Sequence, residues 1–95
     1  MSYSILIAIR SAIDSFISGH SDIADLQAQL EANSSALDRS YEPLPSELRS
    51  LDADLEEIQF TMPREQQQAA AISRLAPIRE AVISALERSD QKNAY

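Results

Sequence analysis

The stretch SELRSLDADLEEIQFTM, residues 46–62, decides the fold. Within it Leu48, Leu51, Leu55, Ile58 and Met62 recur at steps of three, four, three and four. That spacing places all five side chains on one face of an α-helix. The seam is narrow and regular, and half of the residues between its members are charged. A helix is expected over about 46–60.

The chain on either side reads the same way. Upstream, Ser40-Tyr41-Glu42-Pro43-Leu44-Pro45 is expected to interrupt helical structure, because each proline lacks a backbone donor and pushes its predecessor toward extended geometry. Before it, Ile23, Leu26, Leu30 and Leu37 mark one face of a helix over 22–38, with Ser21 as its N-cap and Asp22 and Asp25 in its first turn. Ile5, Ile9, Ala12, Ile13, Phe16 and Ile17 predict a helix over 2–18 that Gly19 terminates. Downstream, Thr61 is the expected cap of a helix over 63–90, with Pro63 tolerated in the first turn and Ile72, Leu75, Ile78, Val82 and Leu86 on its apolar face. Pro77 removes the bond to the Ser73 carbonyl, so a kink or break is expected near Ala76. The tail from Gln91 to Tyr95 is polar and expected to fray. Together these segments predict an all-α antiparallel bundle of four helices, or five if the last one breaks at Pro77.

Residues 1–95 make one domain with a modest aliphatic core: 44% of residues are hydrophobic, yet only two Phe, three Tyr and no Trp occur. A single glycine disfavours sheets, whose tight turns consume that residue. The apolar run Ile5 to Ile9 is short, is followed by Arg10 and lacks a basic leader or a cleavage site. A soluble, unexported, cytoplasmic protein is the expectation. The absence of cysteine excludes disulfides and thiolate metal sites.

Charge is regional. From Asp22 to Phe60 ten carboxylates face two arginines, a local balance of −8, while the flanks are almost neutral and the whole chain carries −7. Such a field speaks to partners rather than to fold. It repels phosphate, so neither nucleic acid nor an anionic membrane is an expected partner. No chemistry-bearing motif is present: His20 is the only histidine, and HExxH, GxSxG, GxxxxGK and EF-hand spacings are missing. Asp52 to Glu57 superficially resembles a cation loop, but it lies inside the helical seam and lacks the glycine of a sharp turn. His20, next to Gly19, reads as a residue at a helix C-terminus. No enzyme, cofactor, metal site or small-molecule substrate is expected.

With the seam turned inward, Glu47, Ser50, Asp54 and Glu57 fall on one flank of the third helix, and Arg49, Asp52 and Glu56 on the other. The second flank is partly neutralised by Arg49, and the first holds no base of its own. Asp54 and Glu57 also sit toward the helix C-terminus, where the dipole opposes negative charge. A solvated face that keeps a small protein dispersed accounts for many such runs. The functional reading is an acidic surface that docks on a basic protein. Its candidate contact residues are Asp38, Tyr41, Glu42, Glu47, Asp54 and Glu57, with Tyr41 as an aromatic anchor or as packing over the helix ends.

Ala12-Ile13-Asp14-Ser15-Phe16-Ile17-Ser18-Gly19, then Leu26 and Leu30, and later Leu51-Asp52-Ala53-Asp54-Leu55-Glu56-Glu57-Ile58-Gln59-Phe60 resemble the small all-helical immunity proteins of bacterial polymorphic and contact-dependent growth inhibition toxin systems. The resemblance implies a protein that binds and neutralises a basic toxin domain, often a nuclease, inside the producing cell. The alternative is a helical adaptor or regulator that self-associates through the seam of the third helix.

Overall fold

The computed structural model describes residues 2–37 and 39–93, with side-chain surroundings for 3–37 and 39–88. These residues form α1 (Ser2–Ile17), α2 (Ile23–Ser34), a one-turn 3₁₀ helix (Arg39–Tyr41), α3 (Leu44–Thr61) and α4 (Arg64–Asn93), with no strand among them. α1 packs on α2 and α4, and α3 packs on α2 and α4, which closes a four-helix bundle. Its α2–α3 side therefore lies opposite its α1–α4 side. The 30 residues of α4 correspond to about 45 Å at 1.5 Å per residue and set the long axis of a body measuring 49 × 23 × 19 Å. Among the described residues no helix is long and apolar enough to cross a membrane.

The first turn between helices follows from Gly19. Its φ of 84° is the left-handed conformation that glycine adopts without a Cβ penalty. Gly19 N–H then donates to the Phe16 carbonyl at 3.0 Å and His20 N–H to the Ser15 carbonyl at 2.9 Å, the paired bonds of a Schellman C-cap. His20 extends this local network, with its Nδ1 3.1 Å from Ser18 Oγ.

The expected cap of α2 shifts by one residue. Asp22, not Ser21, occupies the N-cap: Asp25 N–H donates to Asp22 Oδ1 at 2.8 Å and Asp22 N–H to Asp25 Oδ2 at 3.3 Å. A carboxylate at each end of this reciprocal box satisfies two orphan donors, which Ser21 has no partner to match. The helix also stops early, at Ser34 instead of 38. Asn33 and Ser35 turn their side chains back onto the carbonyls of Gln29 and Glu31, and such local bonds compete with helix propagation. Leu37 lies beyond the helix yet is still buried, so its periodic spacing reflected burial rather than helix. Asp38 lies outside the described residues.

α3 starts two residues before the expected Ser46. Pro45 sits in the first turn, where its missing N–H removes a bond that no helix makes, and the preceding residues coil into the 3₁₀ turn instead of remaining extended. The Glu42–Pro43 peptide is cis. At the far end Thr61 belongs to α3, donating its hydroxyl to the Glu57 carbonyl at 2.7 Å, so it does not cap α4. Met62 is the C-cap in extended conformation and is exposed; the inward seam ends at Ile58. Gln67 Nε2 bridges the α3–α4 turn by donating to the carbonyls of Gln59 and Met62.

The bundle has four helices, not five, because α4 runs unbroken through Pro77. Pro77 is on the outer surface, while Leu75 and Ile78 on either side of it are buried, and Ala71, Val82 and Ala85 continue the same inward stripe. Packing along this stripe outweighs one lost hydrogen bond. The core is aliphatic, with Leu6, Ile9, Ile13, Leu55, Leu75 and Val82 fully excluded from solvent. Leu48, Leu51, Leu55 and Ile58 are all buried within it, so four of the five α3 seam residues are occupied inside the molecule.

Candidate partner-binding surface

Burial of the α3 seam turns Arg49, Ala53, Glu56, Glu57 and Phe60 outward, and all five are exposed. The acidic flank that includes Glu47 and Asp54 faces α4 across an open groove of about 480 Å³. Leu51, Pro77 and Ile78 supply apolar wall, and Ser46, Ser50 and Ser73 supply hydroxyls. A slightly larger groove of about 520 Å³ separates α1 from α2. It is walled by alanines and serines, and its carboxylate, Asp25, is engaged in capping α2.

Two of the expected contact residues, Glu47 and Asp54, line the groove on the α4-facing side of α3, and Glu57 and Glu42 lie beyond the two ends of that groove. Glu47 and Asp54 are half-buried in the groove wall, Glu57 is exposed one turn beyond Asp54, and Glu42 is exposed at the near end. Glu47 to Glu57 spans about 15 Å of helix. Tyr41 is separate in character: it is half-buried and packs against the hydrophobic core. Asp38 lies outside the described residues.

Two arginines change the electrostatics expected from the sequence. The flank that holds no base of its own receives one from α4, since Arg74 Nη1 lies 3.8 Å from Asp54 Oδ2. Both groups are well exposed, so this pair is weak and exchangeable. Arg49 turns away from Asp52 and Glu56. Its Nη2 donates to Ser46 Oγ at 3.2 Å, and Ser46 Oγ donates to Glu42 Oε2 at 2.8 Å, a relay along one helix face. Glu47, Glu56 and Glu57 make no ion pair with any described residue.

Phe60 is the feature that the sequence reading passed over. It is 79% exposed, the most exposed large apolar side chain among the described residues. Glu56 and Glu57 precede it by one helical turn and share its face, so an unburied aromatic ring stands beside two carboxylates. The signal was present in the spacing, because Phe60 is the one large apolar residue of 46–62 that falls off the seam.

Among the described residues no group of three His, Asp or Glu side chains converges as a metal site. No family model matches the chain, and comparison with curated proteins and with solved structures also finds no match.

Proposed function

We propose that this chain is a non-enzymatic inhibitor of the immunity-protein kind, which binds a basic toxin domain, a nuclease by preference, in the cytoplasm of the cell that makes it. The observation that carries the reading is the outward face of α3, where Phe60 is 79% exposed beside Glu56 and Glu57 and the acidic wall of Glu47 and Asp54 continues along the groove. Isolated apolar exposure is ordinary, but an aromatic ring beside two carboxylates that pair with no described base combines an anchor with a steering field. Carboxylates placed over a cationic active site occupy the position of a phosphate group. Inhibition then requires no chemistry from the inhibitor.

The experiment is co-purification with the product of the adjacent reading frame, followed by binding kinetics across a salt series. Replacing Glu47, Asp54 and Glu57 together with Gln should slow association about tenfold at low salt and leave helical content unchanged. Phe60→Ala should accelerate dissociation instead. A complex whose association rate ignores both salt and the triple substitution would remove the electrostatic argument. Absence of any retained partner would remove the inhibitor reading itself.

A further inference from the structure

A second surface differs in kind from the acidic face. On the α1–α4 side, a cleft of about 340 Å³ is lined by Tyr3, Ile7, Arg10, Ile83, Leu86 and Glu87. Ile7 is 46% exposed at its centre, which makes it the only exposed large apolar side chain of α1 among the described residues. α1 and α4 run antiparallel here, so Tyr3 lies beside Leu86 and Glu87 while Arg10 lies toward Arg79. The cleft therefore has an apolar middle, one base at one end and one acid at the other. At the basic end Asp14 lies 2.7 Å from Arg79 and 3.6 Å from Arg10, so a single carboxylate faces two guanidinium groups. Glu80, on the outer ridge of α4, does not line the cleft.

We propose that the α1–α4 cleft is a homodimer interface, in which a second copy of this chain docks about a two-fold axis through Ile7 and Ile83. A two-fold interface must be self-complementary. Here the operation lays the Arg10 end of one copy over the Glu87 end of the other and stacks apolar middle on apolar middle. The cleft lining is electrically neutral on a chain of −7, and the central segment of −8 lies mainly on α2 and α3, on the far side of the bundle. This is the face on which two copies meet with little repulsion, and its use leaves Phe60 and the acidic groove free. The cleft runs about 10 Å along α1, from Tyr3 to Arg10, which is smaller than a standard specific interface, so the dimer is weak and populated only at high concentration.

The test is light scattering and sedimentation of the full chain from micromolar to millimolar concentration. A reversible dimer is expected. Ile7→Glu should weaken it by about tenfold or more, and because Ile7 is already exposed, far-UV circular dichroism should remain that of the folded chain. Arg10→Glu and Glu87→Arg should each weaken the dimer, and the two together should restore it. Should Ile7→Glu lose structure, Ile83→Ser takes its place. Phe60→Ser should leave the mass distribution unchanged, which separates this interface from the acidic face. A monomer at every concentration, a dimer indifferent to Ile7→Glu, or a double charge swap no better than its singles each overturns the proposal.

Discussion

Arg79 Nε donates a 2.7 Å hydrogen bond to Asp14 Oδ1, tying α4 to α1 across 65 residues of chain. The hydrogen bond that Asp14 accepts first, and the Asp14 charge second, hold the Arg79 guanidinium above its ordinary value. A raised value contributes stability that is fully present below the unfolded value and is lost only as pH rises through the folded one, and both lie far above neutral. Stability from Arg79 is therefore constant across neutral pH. In a double-mutant cycle, Asp14→Asn and Arg79→Gln should lower the melting temperature by amounts that do not add, with a coupling that shrinks in high salt. Each loss should be smaller than that of a core truncation. Strict additivity would show that the pair holds nothing together.

Leu55 and Met62 belong to one sequence pattern and to different environments. Leu55 is fully buried and Met62 is 39% exposed. Leu55→Ala should lower unfolding free energy by about 2–5 kcal/mol in a denaturant titration, whereas Met62→Ala should stay within about 0.5 kcal/mol. Equal effects would contradict the end of the seam at Ile58.

The cap of α2 separates two neighbouring residues. Asp22→Ala removes an acceptor for the Asp25 N–H and should cost about 0.5–2 kcal/mol. Ser21→Ala should be close to neutral. Thermal unfolding of both variants decides between them, and a larger loss at Ser21 would move the cap back.

Pro77 lies inside an unbroken helix with its ring toward the outer surface. Proline in a helix interior is disfavoured relative to alanine by about 3 kcal/mol, so Pro77→Ala should raise stability by up to that amount in a denaturant titration. A loss of stability would mean that the α3–α4 packing depends on the ring. Pro77 also lines the acidic groove, so the same variant shows whether partner association depends on groove shape.

Much of the fold was legible because helix periodicity and glycine chemistry are local. Ile9, Ile13 and Phe16 pointed inward as their spacing required, and Gly19 ended α1 where a left-handed residue was needed. Legibility failed where two local rules competed. Proline at 45 could begin a helix or prevent one, and Asn33 and Ser35 stopped α2 although Leu37 kept the apolar period. The candidate site was legible in part for the same reason. Glu47, Asp54 and Glu57 share a flank by spacing alone, but the arrival of Arg74 from α4 depends on which helix packs there, and no wheel of α3 contains that information.

The sequence by itself determined the helical class, the inward faces and the concentration of acid in the middle of the chain, because each depends on residues within a few turns of one another. Only the tertiary structure decided that α4 passes Pro77 intact, that the α3 seam is consumed inside the bundle, and that Phe60 and Ile7 stand exposed on opposite sides of it. Those outcomes depend on which helices become neighbours. Burial is a property of the pair, and a side chain's spacing gives its direction without saying what, if anything, covers it.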